Sequence, residues 1–208
     1  MGRALAALGL IIGVLAVATQ FAISLEAYMA SGRSFGFSLF KLLSFFTITT
    51  NIFLVLAYLG YLLPGARWLS LFRKPVVVAT AAASITLVGV YYHAFLAAHW
   101  KPEGLFYVCD IFLHYVTPIL FVVWFAGFNR TGTLRFSALL PMQIYPIAYL
   151  VWVLIRGAVA GDYPYPSLDL ARLGIGGLAL NCLIFLVLFL VLDSLAILID
   201  RFSPNRQR

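Results

Sequence analysis

Six apolar stretches, each about twenty residues long, restrict this sequence to one class of fold. They cover approximately residues 4–25, 40–63, 75–98, 109–128, 136–155 and 174–199. A helix of about 20 apolar residues crosses a bilayer core of about 30 Å. Only helices and closed barrels satisfy their backbone polar groups in lipid, and continuous rather than alternating apolar runs favour helices. We therefore expect an all-α membrane protein, a single domain (1–208) built as a bundle of six transmembrane helices.

The charged residues are too few for a soluble protein surface. They make up 10% of the chain, whereas 63% of it is hydrophobic and soluble domains have about 25% charged residues. The formal net charge is +7, but the basic residues are sparse and separated by long apolar runs. A soluble enzyme and a nucleic-acid-binding domain are therefore poor interpretations, and we expect no nucleic-acid partner.

The distribution of charge predicts the orientation in the membrane. Six spans place both termini on one side, together with two acidic residues and nine basic ones, whereas the other side has five of each. Short loops rich in Lys and Arg stay in the cytoplasm, so we expect both termini to be cytoplasmic. The nine basic residues are Arg3, Arg67, Arg73, Lys74, Arg130, Arg135, Arg201, Arg206 and Arg208.

Polar side chains within the spans gather at one depth. Counting 1.5 Å per residue along a helix places them in the half of the bilayer that lies away from the termini. Ionisable groups at membrane depth are costly and indicate a functional site. The residues are Thr47, Asn51, Tyr92, His93, Asp110, His114 and Asn181.

The spacing within this set places a carboxylate beside an imidazole. Asp110 and His114 are four residues apart, so their side chains lie on one face of a helix. A carboxylate that orients an imidazole beside a hydroxyl is the arrangement used by covalent hydrolases. Asp110 is therefore a candidate for the group that orients His114. The candidates for binding the substrate or its oxyanion are Asn51, Tyr92, His93 and Asn181.

Each residue also has a purely structural interpretation. A membrane Thr such as Thr47 commonly bonds the carbonyl four residues earlier or a neighbouring helix. Asp110 with His114 is also consistent with a polar clasp between helices. His93 fits an interfacial position near the lipid head groups, and Asn181 fits a contact between helices. These alternatives remain open at the level of sequence.

No metal or other cofactor is expected. His93 and His99 are six residues apart and therefore face different sides of a helix. Cys109 and Cys182 both fall towards the half of the bilayer away from the termini. A disulfide and two small apolar thiols are both consistent with that placement.

Three segments have a resemblance to known proteins. Residues 44–51 (SFFTITTN) open the second span, residues 110–118 (DIFLHYVTP) open the fourth, and residues 161–166 (GDYPYP) precede the sixth. Together they resemble a bacterial family of small six-span membrane proteins of uncharacterised function, over nearly the whole chain. This resemblance implies residence in the cytoplasmic (inner) membrane of a bacterium.

More remotely, the pattern is similar to the androgen-induced and androgen-dependent membrane hydrolases of animals. Those are six-span threonine hydrolases that cleave fatty-acid esters of hydroxy fatty acids. The resemblance implies that Thr47 is the nucleophile and His114 the base. The chain differs from the animal pattern because Pro118 follows His114 more closely and because Asp110 has no assigned equivalent.

Two functional hypotheses of different class follow. The first is a hydrolase of lipid esters that works on an acyl-chain substrate among membrane lipids, with its site in the outer half of the bilayer. The second is a small-molecule or proton-linked transporter or sensor that uses Asp110 and His114 as a relay. A conduction path should continue through the inner half, where polar residues are sparse. A lipid-binding membrane protein without catalytic activity is a third interpretation.

Overall fold

A computed structural model describes residues 1–202, of which the great majority are helical and none forms a β-strand. Arg206 and Arg208, which the charge analysis placed beside the termini, lie outside the described residues. Several helices include a single π or 3₁₀ turn. The helices are α1 (Gly2–Ala30), α2 (Phe35–Leu42), α3 (Phe46–Leu62), α4 (Pro75–Leu96), α5 (Gly104–Phe128), α6 (Phe136–Ala160) and α7 (Leu170–Arg201).

The predicted all-α class is confirmed. Within the described residues, five helices (α1, α4, α5, α6 and α7) are long and apolar enough to cross a membrane, and α2 with α3 makes a sixth if the pair is counted as one span. The helices extend beyond the predicted stretches at most ends. For example, the last one begins at Leu170 rather than near residue 174, where Gly174 has φ +65° and bends it.

Helix α4 lies at the centre of the bundle because small side chains line it. It packs against α3, α5 and α7, and α1 in turn covers α3 and α5. Small residues allow neighbouring backbones to approach closely in a membrane bundle. The small residues of α4 that are buried are Ala79, Ala81, Ala82, Ala83 and Ser84.

A layer of aromatic rings fills the half of the bundle nearer the N-terminus of α1. Phe121 and Trp124 are completely buried, and their ring centroids lie 5.3 Å apart. Tyr58 packs against both, at 5.1 and 4.9 Å. Gly9 of α1 leaves room for this tyrosine, since a Cβ atom there would lie 2.4 Å from its Cζ atom. This half of the protein is therefore closely packed.

The second apolar stretch was expected as one helix over 40–63, but the structure divides it into α2 and α3, which meet at 78°. Backbone polar groups at such a break need partners, because lipid offers none. Aromatic side chains of α6 and of the loop after it supply them. The pairs are Trp152 Nε1–Leu43 O at 3.2 Å, Tyr149 Oη–Ser44 O at 2.9 Å and Phe46 N–Tyr165 Oη at 3.0 Å. Continuous hydropathy across this stretch gives no sign of the bend.

Two π turns lie where α4 and α5 come together. One closes α4 at Tyr92–Leu96, and the other occupies Phe112–Val116 of α5. The second precedes Pro118, whose missing N–H leaves the His114 carbonyl without its usual helical donor. A Cβ atom at Gly89 of α4 would lie 3.2 Å from that carbonyl oxygen, so α4 approaches α5 closely there. Turns of this kind occur frequently at functional sites.

Candidate active site

The structure brings Thr47 and His114 together. Thr47 lies on the first turn of α3 and His114 in the π turn of α5, and Thr47 Oγ1 is 3.2 Å from His114 Nε2. This is the separation expected of a nucleophile and its base. We refer to these two residues as the Thr47–His114 pair.

Asp110 and Tyr92 hold the imidazole of His114 from its edge and its face. His114 Nδ1 lies 3.2 Å from Asp110 Oδ1 and 3.0 Å from the Asp110 carbonyl oxygen. A hydrogen on Nδ1 satisfies these acceptors and leaves the Nε2 lone pair directed at Thr47. Tyr92 donates to Asp110 Oδ2, and its ring stacks on the imidazole at 3.8 Å between centroids and 14° between planes. The imidazole is thereby fixed in orientation.

Two cavities meet at the Thr47–His114 pair. The apolar cavity, of about 370 Å³, lies among α3, α4, α6 and α7. The second cavity, of about 550 Å³, lies among α1, α2, α4 and α5, and most of its wall is apolar. We call it the polar cavity because charged and hydrogen-bonding side chains line part of it. The residues that line both are Thr47, Tyr92, Leu96, His114 and Tyr165. A molecule bound across the pair would thus place one part in each cavity.

The apolar cavity reaches the lipid-facing surface beside α7. Leu87, Val88 and Phe185 line its interior. Ile184 and Leu188 line its mouth and are 48% and 40% exposed on the outside of the bundle. An apolar chain could enter here from the bilayer without crossing water.

The polar cavity carries hydrogen-bonding and charged groups. Gln20 and Ser24 of α1 line it, with Gln20 Nε2 donating to Ser24 Oγ at 2.7 Å. Lys41 of α2 lines it as well, and Asp110 faces it beside the pair. Water or the polar part of an amphiphile is suited to this cavity.

A cluster of ion pairs holds the loop 161–169 in place. This loop covers the Thr47–His114 pair. Asp162 lies between Lys41 and the buried Arg156, with N–O distances of 2.8 and 2.5 Å. Burial tends to raise the pKa of Asp162, but the hydrogen bond from Lys41 and the charge of Arg156 outweigh it, so that pKa is below its usual value. Gly157 makes space for the loop, since a Cβ atom there would lie 2.0 Å from the Tyr163 ring.

Tyr165, in the same loop, is a site residue that the sequence-based selection missed. Its Oη accepts the Phe46 N–H at 3.0 Å, and its side chain lines both cavities beside Thr47. Burial raises the pKa of Tyr165 to about 12, so the hydroxyl keeps its proton near neutral pH. The sequence did contain a signal for this residue, because the GDYPYP segment was one of the three that carry the family resemblance. Helical spacing, however, cannot predict where the side chain of a loop residue points.

Asn51 joins two helices and does not line either cavity. Its Nδ2 donates to the carbonyl oxygens of Thr47 at 2.8 Å and of Leu113 at 3.3 Å, and its Oδ1 accepts from Thr117 Oγ1 at 2.5 Å. Both amide hydrogens are therefore committed. The geometry favours the structural interpretation of this residue over its candidacy as an oxyanion donor.

The two other candidates have different positions. His93 is exposed on the outside of the π turn, with Nδ1 3.2 Å from Tyr115 Oη, and does not line either cavity. Asn181 lines the apolar cavity and donates to the Ser167 carbonyl oxygen at 2.9 Å. Of His93 and Asn181, only Asn181 is placed to contact a bound molecule.

Cys109 and Cys182 are free thiols. Cys109 packs beside Leu113 in a small apolar cluster, and Cys182 packs against the main core. Among the residues that the structure describes, no group of three or more His, Cys, Asp or Glu side chains is placed to hold a metal ion.

Comparison with protein-family models, with curated proteins and with solved structures gave no match. The resemblances drawn from the sequence therefore stay predictions. The function must be argued from the geometry around Thr47 and His114.

Proposed function

We propose that the protein is a membrane-embedded hydrolase of lipid esters in which Thr47 is the nucleophile. The observation that carries the proposal is the Thr47–His114 pair at the junction of the two cavities. A hydroxyl, an imidazole and a carboxylate stand in sequence there, and the carboxylate is itself held by Tyr92. Such a constellation is recognised by geometry and role rather than by fold.

The reaction proceeds in two steps. Thr47 Oγ1 attacks the ester carbonyl carbon while its proton passes to His114 Nε2, and the carbonyl π electrons move to oxygen. The tetrahedral intermediate then expels the alcohol, which takes the proton from Nε2. Water then attacks the acyl carbon while His114 Nε2 takes its proton. The second tetrahedral intermediate breaks its bond to Thr47 Oγ1, which takes the proton back from Nε2, and the acid is released. Asp110 offsets the positive charge on the imidazole in both steps.

The two cavities suit the two ends of such a substrate. The acyl chain lies in the apolar cavity, which it enters from the bilayer between α4 and α7 past Leu188. The alcohol part lies in the polar cavity with Lys41 and Gln20, through which water also arrives. An ester among the membrane lipids has both an acyl chain for the apolar cavity and an alcohol part for the polar cavity.

A transport function is less well supported. Thr47 and His114 line both cavities, and the aromatic layer of Tyr58, Phe121 and Trp124 lies in the other half of the bundle. A conducting path would have to pass through this layer. A hydrolase needs access from only one side.

We further propose a topology of six spans, with α2 and α3 counted as one and both termini in the cytoplasm. The excess of Lys and Arg on the side of the termini supports this orientation. The active site then opens in the outer half of the cytoplasmic membrane of a bacterium, which agrees with the family resemblance.

Labelling of membranes with a fluorophosphonate probe tests the proposal. We expect the wild type to label, and Thr47→Ala and His114→Ala to lose labelling at unchanged expression. Thr49→Ala is the matched control, because Thr49 lies two residues further along α3, bonds the Phe46 carbonyl oxygen and lines neither cavity. If wild-type protein neither labels nor hydrolyses any lipid ester, the hydrolase assignment fails.

A further inference from the structure

The oxyanion of the proposed reaction needs a hydrogen-bond donor beside Thr47. Removing one such donor typically lowers the rate by about 10²–10³. Two of the sequence candidates have their hydrogens committed. Tyr92 donates to Asp110, and Asn51 uses both amide hydrogens on backbone oxygens. His93 faces away from the site, and Asn181 lines only the apolar cavity.

Tyr165 occupies the required position. It lines both cavities, and its hydroxyl lies close to the Thr47 side chain. Its oxygen accepts the Phe46 N–H at 3.0 Å, and its hydroxyl also contacts the hydroxyls of Thr47 and Tyr149. The hydroxyl hydrogen is thus shared among hydroxyl neighbours and is not fixed on a backbone carbonyl oxygen. The neighbouring Tyr149 hydroxyl donates to the Ser44 carbonyl oxygen at 2.9 Å. Of these two phenols, Tyr165 is therefore the one that can turn its hydrogen towards a group attached to Thr47.

The surrounding loop keeps this hydroxyl in place. Pro164 and Pro166 flank Tyr165 and fix the backbone angle φ at their own positions. Asp162, three residues earlier, is tied to Lys41 and Arg156. A donor held in position before the reaction stabilises developing charge without reorganisation.

We propose that Tyr165 is a catalytic residue whose hydroxyl donates a hydrogen bond to the oxyanion formed when Thr47 attacks the ester. The role rests on the proposed hydrolase function. As the Thr47 oxygen bonds to the carbonyl carbon, the π electrons become a lone pair on the carbonyl oxygen, and this oxygen accepts from Tyr165 Oη–H. When the intermediate collapses, the electrons return to the C=O bond. Tyr165 keeps its proton throughout.

The first test is Tyr165→Phe, which removes the hydroxyl and keeps the ring. We expect fluorophosphonate labelling and ester turnover to slow by about 10²–10³. Tyr163→Phe is the matched control, because Tyr163 lies in the same loop, packs on Gly157 and lines neither cavity. Unchanged rates in Tyr165→Phe would overturn the role of Tyr165 and leave the hydrolase proposal intact, whereas an unreactive wild type would overturn both.

A second measurement separates oxyanion stabilisation from simple positioning. In a Thr47→Cys background, the new thiolate reacts with an activated ester through an oxyanion, but it displaces iodide from iodoacetamide without one. Peptide mass spectrometry separates the thiol at position 47 from those of Cys109 and Cys182. We expect added Tyr165→Phe to slow the ester reaction and leave alkylation unchanged. Equal slowing of both reactions would show a positioning role and overturn the proposal.

Discussion

Thr47 Oγ1 and His114 Nε2 are joined across 3.2 Å although 67 positions separate the two residues in the sequence. The contact depends on two local irregularities. The bend between α2 and α3 places Thr47 on the first turn of a new helix, and the π turn of α5 contains His114. Each irregularity therefore bears on the proposed chemistry, and the following variants test them.

Asp110→Asn should slow acylation strongly. The variant keeps nearly the same shape but loses the charge that orients His114 and offsets the imidazolium. In a Ser-His-Asp triad the corresponding change costs about 10⁴, and we expect a loss of about 10²–10⁴ here. The rate of fluorophosphonate labelling measures it. Asp169→Asn, which alters the N-terminal cap of α7 at a residue that lines neither cavity, is the control, and a wild-type rate in Asp110→Asn would remove Asp110 from the mechanism.

If the proposed hydrolase function holds, Leu188→Trp should shift the substrate preference towards short acyl chains. Leu188 lines the mouth of the apolar cavity and is partly exposed, so a larger side chain narrows the entrance without overfilling the core. Turnover of long-chain esters relative to acetyl esters measures the effect. Leu183→Trp on the same helix is the control, because Leu183 is 59% exposed and does not line the cavity. If the ratio of long-chain to acetyl ester turnover changed equally in both variants, the acyl chain would not enter beside Leu188.

Tyr149→Phe should destabilise the fold by about 1–3 kcal/mol, because the buried Ser44 carbonyl oxygen loses its donor at the bend. Equilibrium unfolding in mixed micelles measures the free energy. Tyr107→Phe, at a position that is 54% exposed, should change it little. Equal stability of the two variants would mean that the bend does not depend on this hydrogen bond.

The ion pairs of Asp162 should give a stability difference that depends on pH. The folded-state pKa of this carboxyl is below its ordinary value of 3.8, so the stabilisation is present above 3.8 and is lost as pH falls below it. We expect Tm of the wild type to exceed that of Asp162→Asn at neutral pH, and the gap to narrow progressively as the pH falls below 3.8. A gap that persists unchanged at low pH would contradict this assignment.

The sequence predicted the helical class and the common level along the bundle of Thr47, Asp110 and His114. Span length and charge bias are local properties, and residue counting gave Thr47, Asp110 and His114 a common depth. Counting residues along a helix does not show which neighbouring helix or surface each side chain faces. For that reason His93 was grouped with the site although it faces outward, and Asn51 was grouped with it although its amide joins α3 to α5.

Span length and residue counting could not predict the bend between α2 and α3 or the conformation of the loop 161–169. The stretch from Phe40 to Leu63 is predominantly apolar on both sides of the bend, and the side chains that satisfy the break come from α6 and the loop after it. Tyr165 belongs to a segment without periodicity, so only long-range contacts determine where its hydroxyl lies. Burial of Arg156 beside Asp162 likewise depends on distant partners.

Mapping the residue that a fluorophosphonate probe modifies tests the central claim most directly. Thr47 has a rival in Ser167, which also lines the apolar cavity, with Oγ 3.2 Å from the Tyr91 hydroxyl. Peptide mass spectrometry of labelled wild-type protein should find the phosphonyl group on Thr47, and Thr47→Ser should restore an adduct that Thr47→Ala lacks. An adduct on Ser167 or elsewhere, or none on the purified active protein, would contradict the assignment of Thr47 as nucleophile.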